Sequence, residues 1–388
     1  MNPKLRIAIC ILLILAFPLS SAGAAPLAKS GCDPDFVTRQ KGVFTVKPTG
    51  ADDTANIQCA FDAAVAAGKG KTVRLAAGAF YTQQIAVRDF HGHFMGAGVK
   101  KTVVMNIPNL AVTPNFWFDA PSGANLWPTL FSFVNGDFAI SDLAIHIAGV
   151  EPTLGWEFQG AFVRELYGAI FVNGTKADAL VYNLLVEGEP MAEAMFGYNL
   201  LNGIYYAGFI GETAPFAPIS GTFAVYNSTF RVLDIGTPFS NLADATVLIS
   251  KNTYEDVWAG MEGVDPQGSN ILFTNNKVNG TVGVYLHEMF NAGTSGARFL
   301  IRNNTLAGGT GIVVDTYFGE GNDCALWRND TQRTAELGVY LGEGTKGCLV
   351  TGNKKTTVLD LGTGNILVGV TKLDPGLMRG FLKYKIAH

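Results

Sequence analysis

The chain predicts an all-β parallel solenoid, and three observations carry that prediction. Four short strand-like phrases each open with glycine: GMEGVD from Gly260, GVYLHE from Gly283, GIVVDT from Gly311 and GVYLGE from Gly338. Three follow an asparagine-bearing strand, in ISKNTY, FTNNKV and IRNNTL, and the fourth precedes one, VTGNKK. Asn252 to Asn276 is 24 residues and Asn276 to Asn304 is 28, the size of one solenoid coil. Each coil of a solenoid contacts only its neighbours, so the whole length fits one elongated domain. No Pro/Ser-rich linker or charge block divides it, and the 46 glycines are spread through turns.

Residues 1–24 read as a secretory signal: Lys4 and Arg6, an apolar run from Ile7 to Phe17, then small residues with an A-x-A site at Ala22 to Ala24. The run is too short to span a bilayer comfortably, and no later segment offers 18 uninterrupted apolar residues. Export follows as the expectation, to the cell exterior or a periplasm, with no stable membrane insertion. Lys29 stands where a lipoprotein signal wants an apolar residue before Cys32, which argues against a lipid anchor. Removing the signal takes the formal charge from −4 to −6, a balance with no footprint for nucleic acid. Of five cysteines, Cys10 leaves with the signal. The remaining four suit an oxidising compartment as the disulfides Cys32 to Cys59 and Cys324 to Cys348, and their spacing lacks the paired C-x-x-C of a zinc site.

Residues 25–71 hold an irregular lead-in and then a helix. In GADDTANIQCAFDAAVAAG, Asp52 or Asp53 is a natural N-cap, Ile57, Phe61, Ala64 and Val65 recur at helical spacing, and Gly68 and Gly70 stop the helix. Such a helix can cover the open end of a solenoid and protect its free edge. Residues 72–388 form the solenoid, with aromatic insertions near 108–133 (Phe116, Trp117, Phe118, Trp127) and 149–167 (Trp156, Phe158) that can pack on the body or wall a groove. The asparagines Asn183, Asn227, Asn252, Asn276, Asn304 and Asn353 recur at one point of the coil, where a stacked amide ladder is expected. Asn183 to Asn227 and Asn304 to Asn353 each exceed one turn, so each hides a further coil or an insertion.

The entry segment resembles the pectate-lyase-like superfamily of parallel β-helix proteins. Asp52, Asp53, Thr54, Ile57, Gln58, Ala60, Asp62 and Ala63 match its D-D-T-x-x-I-Q-x-A-x-D-A phrase. Gly70, Thr72, Val73, Leu75, Ala77 and Gly78 match G-x-T-V-x-L-P-A-G-x-Y with Ala76 in place of proline, and Gly96, Gly98, Thr102 and Val103 match G-x-G-x-x-T-V. The resemblance implies a right-handed, single-stranded parallel β-helix with an N-terminal capping helix, and carbohydrate chemistry in an extracellular setting. The N-T-D, D-D and G-H-G cluster of polygalacturonases and the R-x-P-x-x-R phrase of pectate lyases are absent. EGVDPQG is similar to the Y-G-x-D-P-H region of alginate epimerases through Gly263, Asp265 and Pro266, with Glu262 for tyrosine and Gln267 for histidine.

Side chains alternate along a strand and neighbouring coils lie about 4.8 Å apart, so aligning the four phrases sorts their residues by face. Met261, Val284, Ile312 and Val339 form one inward row, and Gly263, Leu286, Val314 and Leu341 a second. The outward rows are Glu262, Tyr285, Val313, Tyr340 and then Val264, His287, Asp315, Gly342, with Asp265, Glu288, Thr316 and Glu343 at the strand ends. The candidate catalytic residues are Asp315, His287, Glu262 and Tyr285, and the candidate substrate-binding residues Asp265, Glu288, Tyr340 and Trp258. A carboxylate beside an imidazole orients it for proton transfer near neutral pH, and His287 with Asp315 is the expected pair. Glu262 and Asp315 lie two coils apart, about 10 to 12 Å at the backbone, so side-chain reach approaches the 6.5 to 9.5 Å of inverting glycosidases. No cofactor is required. Calcium is a candidate through Asp265 and Glu288, since lyases of the resembled superfamily use it to neutralise uronate. His91 and His93 flank Gly92 in an early turn, and two imidazoles alone make no metal site.

These readings point to a monomeric, secreted polysaccharide-degrading enzyme, a glycoside hydrolase or polysaccharide lyase. The alternatives are a non-catalytic glycan-binding or surface-structural β-helix, and a uronan epimerase.

Overall fold

The computed structural model describes residues 32–107, 129–147, 156–158, 161–188, 198–207, 218–287, 297–315 and 323–374. Side chains within these are described except at 156–158, 161–167, most of 198–207, 264–266 and 323. The expected signal at 1–24, the aromatic insertion residues Phe116, Trp117, Phe118 and Trp127, and Glu288 lie outside the described residues, and the side chains of Trp156 and Phe158 lie outside the described side chains.

Almost every described segment is a strand, and the strands stack in parallel as three long sheets of a right-handed parallel β-helix. In the best-ordered coils the chain passes through the first sheet (Thr246–Ser250), bends into the second at 253–257, bends again into the third at 259–264, and returns to the first at Asn270–Thr274. Alternation delivers one residue per pleat to the interior. The first sheet's inner column therefore runs Val73, Phe94, Ile140, Val181, Val225, Ile249, Phe273, Ile301, Leu326 and Val350, each paired in register with the next and each fully buried. Burying one such side chain contributes roughly 1.5 to 3 kcal/mol. The same period of 2 is why a slip of one residue would expel the whole column.

The solenoid begins earlier than residue 72. Val37–Gln40 and Val43–Val46 form an antiparallel hairpin, and Val43–Val46 pairs in parallel with Lys71–Leu75 as a first rung. The hairpin turn is Lys41-Gly42, both with positive φ (48° and 83°), the backbone that a two-residue type I′ connection demands. Helix α1, Thr54–Ala66, lies between these rungs in sequence and buries Ile57, Ala60, Phe61 and Ala64. Phe61 packs on Phe90, Phe94 and Phe133 with ring centroids 5.4, 5.0 and 5.8 Å away, so the helix closes the N-terminal end with an aromatic plug. Asp52 accepts the Thr54 amide (2.8 Å). Asp53 is fully buried and accepts the amides of Thr49 (2.7 Å) and Tyr81 (3.0 Å), tying the helix start to a strand.

Cys32 is joined to Cys59 in α1, and Cys324 to its register partner Cys348, with Cα atoms 5.6 and 4.5 Å apart. Among the described residues no helix is long and apolar enough to cross a membrane.

The bend between first and second sheets carries the amide ladder. Asn252, Asn276, Asn304, Asn329 and Asn353 stack, each side-chain oxygen accepting the amide of the ladder residue before it (2.7 to 3.1 Å). Each Nδ2 donates to a strand carbonyl of the preceding coil, those of Val225, Ile249, Phe273, Ile301 and Leu326. All five are buried, so the ladder satisfies groups that the bend would otherwise orphan. Asn329 supplies the coil hidden between Asn304 and Asn353. Asn183 and Asn227 are not rungs: they occupy the preceding position, at φ 52° and 47°, where Lys251, Asn275, Asn303 and Arg328 stand in later coils. Ser228 fills the ladder position after Asn227.

Candidate functional site

The outer face of the third sheet is positioned by glycines. Gly260, Gly283 and Gly311 each open a phrase at the second bend, and a Cβ on any of them would collide with the carbonyl of the next glycine in the stack. That close approach is why the phrases begin with glycine, and it sets their register. Met261, Val284, Ile312 and Val339 are paired in sequence and buried, as are Leu286, Val314 and Leu341. Between them, the outward row runs Pro238, Glu262, Tyr285, Val313, Tyr340 and Leu359. His287 pairs with Val264, and Asp315 follows directly, its amide donating to the Leu286 carbonyl at 2.9 Å.

Four of the candidate residues converge. His287 Nε2 lies 2.9 Å from Glu262 Oε1, with side chains only 10% and 18% exposed. The Tyr285 hydroxyl donates to Asp315 Oδ2 at 3.3 Å. The Tyr285 and His287 rings stack at 4.4 Å and 20° between planes, and Trp258 stands edge-on to Tyr285 at 5.6 Å and 88°. His287 thus turns back to Glu262, and the expected His287–Asp315 hydrogen bond is replaced by two others. The physical reason is rotameric: register fixes the Cβ positions, whereas stacking on Tyr285 holds the imidazole over the Glu262 side.

The environments of the two carboxyl groups differ. Burial pushes the Asp315 carboxyl above the usual carboxylate range, against the smaller opposing effects of the Tyr285 hydrogen bond and the nearby His287. Burial, then the charges of Asp315 and Glu262, pushes the Tyr285 phenol well above the usual tyrosine range, so it stays a donor. Glu262 has a hydrogen-bonding partner, His287, on its own face.

The candidate binding residues divide. Trp258 is 37% exposed and offers indole surface beside Tyr285. Tyr340 is only 8% exposed, because it packs with Val313, Leu337 and Leu359 in an apolar ledge outside the helix core. Its phenol is raised by burial, then by Asp315 and Glu343. Tyr340, a candidate substrate-binding residue, is thus largely covered by that ledge. Glu288 lies outside the described residues, as does the side chain of Asp265, and among described residues no three His, Cys, Asp or Glu gather as a metal cluster. His93 sits on the first sheet against Ser141 (2.9 Å), which donates to Asp142 (2.6 Å), while Asn183 also donates to Asp142 (3.2 Å). That chain holds a bend together, and burial lowers the His93 pKa despite Asp142.

No family model matches the chain, and no curated protein matches it. Solved structures do. The A-module of an Azotobacter vinelandii mannuronan C-5 epimerase is 16% identical, with TM-score 0.45, over 87% of this chain and 90% of that one. A polygalacturonase from Erwinia carotovora subspecies carotovora is 13% identical, with TM-score 0.48, over 89% and 98%. A surface adhesin of Streptococcus pneumoniae is 14% identical, with TM-score 0.39, over 80% and 82%. The likeness to the pectate-lyase-like β-helix proteins holds at the level of fold.

Proposed function

We propose that the outer face of the third sheet is the active site of a secreted, polysaccharide-degrading glycoside hydrolase. One observation carries the reading: two carboxyl groups on one outward face, two rungs apart, have different partners, Asp315 the Tyr285 hydroxyl and Glu262 the His287 imidazole. Asp315, part-buried and with its carboxyl pushed above the usual carboxylate range by desolvation, serves as general acid toward the glycosidic oxygen. Glu262, held by His287, is the carboxylate that activates water on the opposite side of the sugar ring. Two rungs and two residues apart, about 10 to 12 Å at the backbone, they leave room for that water, and a carboxyl separation of about 6.5 to 9.5 Å would give inversion at the anomeric carbon. Trp258 provides a face for stacking a neighbouring sugar. The terminal signal sequence and two disulfides support export to an oxidising compartment.

A second reading draws on the Glu262–His287 pair alone: an oriented imidazole is a suitable base for β-elimination beside a uronate. Tyr285, held protonated, is not that base. Calcium through Asp265 and Glu288 belongs to this second reading as a proposal, and a rate lost to chelation and restored by Ca²⁺ supports it. Purified protein assayed on a polysaccharide panel separates the two. New reducing ends without ultraviolet absorbance support the hydrolase, unsaturated uronates support the lyase, and neither product over the whole panel leaves a binding protein.

A further inference from the structure

We infer that the glycan this site takes is uncharged, an inference that rests on the hydrolase reading and narrows it. Over the coils that build the site, the third-sheet strands and their bends read IGTPFSN (235–241), WAGMEGVDPQ (258–267), TVGVYLH (281–287), GTGIVVD (309–315), LGVYLGE (337–343) and TVLDL (357–361), without one lysine or arginine. What faces outward there is Glu262, Asp315 and the exposed Glu343, with Tyr285, His287 and Trp258 among them.

A polyuronate binds through guanidinium or ammonium groups, or through a cation, because each of its carboxylates must be neutralised. Here an incoming carboxylate meets Glu262 and Glu343 with no lysine or arginine beside them, in a face where Tyr285, His287 and Tyr340 are largely withdrawn from water and screening is weak. His287 already pairs with Glu262, and Lys372, on the next strand beyond 357–361, pairs with Asp360. A neutral sugar avoids this repulsion and matches what the face does provide: hydroxyl-accepting carboxylates and an indole against which sugar C–H groups pack. The same charge that repels uronates therefore selects hydroxyl-rich chains.

The experiment is binding, measured by titration calorimetry at low ionic strength with the Asp315→Asn variant, which turns its ligand over about 10² to 10⁴-fold more slowly. The probes are neutral hexaoses (glucans, galactan, mannan, xylan), the hexamers of galacturonate and mannuronate, and the glucosamine hexamer. The expected result is that at least one neutral hexaose binds and each uronate hexamer binds at least tenfold more weakly, a gap that narrows as salt is raised. Glu343→Lys should strengthen uronate binding at least threefold and leave the neutral hexaose within twofold. A uronate or glucosamine hexamer that binds as tightly as the best neutral one overturns the inference, and so does the failure of every neutral hexaose to bind. Neutral binding without hydrolysis by the unmutated protein keeps the ligand class and defeats the hydrolase. Hydrolysis of a uronan does the reverse.

Discussion

At the level of single residues, Asp315 separates an active site from a solvated acidic edge. Asp315→Asn should lower the hydrolytic rate about 10² to 10⁴-fold, the worth of a positioned proton donor, with folding unchanged. Glu343→Gln, at an exposed position without such partners, should change stability by under about 0.5 kcal/mol and leave the rate near that of the unmutated protein. Steady-state rates at matched folded fraction check both, and equal losses would remove Asp315 from the mechanism. Its titration makes a second prediction. Because burial raises the folded-state pKa of Asp315 above its unfolded value near 3.9, folding is favoured fully below the unfolded value and loses that contribution as pH rises through the folded one. Urea midpoints from pH 3 to 8 should therefore fall for the native sequence relative to Asp315→Asn as pH rises. A difference between the two that is flat in pH would contradict the burial argument.

At the level of elements, the ladder predicts which asparagines matter. Asn276 accepts the Asn252 amide and donates to Ile249 and Asn304 from a site that is 1% exposed. Asn276→Ala leaves a buried amide and a buried carbonyl unpaired and should cost about 2 to 4 kcal/mol. Asn227 is exposed at positive φ and makes no rung, so Asn227→Ala should cost about 1 kcal/mol, the left-handed backbone penalty. Denaturant midpoints compare them directly, and equal costs would mean that the rungs add nothing beyond the turn. The same elements show how far the sequence could be read. The inward and outward rows of the four phrases were legible because the glycine column pins their register. Asn329 was hidden because WRND carries Trp327 and Arg328 where other coils have Ser250-Lys251, Thr274-Asn275 and Arg302-Asn303, with Arg328 at φ 55° stacked on Trp327. Asn183 and Asn227 misled because asparagine suits the left-handed position as well as the rung beside it. The Lys41-Gly42 hairpin did have a readable signal, alternating apolar residues around a two-residue turn. The partner of His287 did not, since a period of 2 fixes a face and leaves the rotamer to packing.

On the scale of the whole molecule, a stack of coils stabilises each coil through its two neighbours, so position along the stack decides how readily a coil opens. The N-terminal end is closed by α1 and Phe61 and tied by Cys32–Cys59. At the other end the last described first-sheet strand, Ile366–Val368, pairs only with Cys348–Thr351 and leaves Ile366 and Val368 56% and 52% exposed. Amide exchange should therefore be fastest at 366–372 and slowest in the central coils around 247–274, where opening breaks two interfaces together. Cys324–Cys348 joins register partners in adjacent coils, one step inward from that end. Reducing the disulfides should extend fast exchange back through 348–351 while the central coils keep their protection, because disruption at one coil propagates only through its neighbour. Exchange followed by mass spectrometry, with and without reductant, reads this gradient. Uniform protection from 247 to 372, or simultaneous loss throughout on reduction, would mean that the chain opens as one cooperative body, and the nearest-neighbour account of its stability would have to be abandoned.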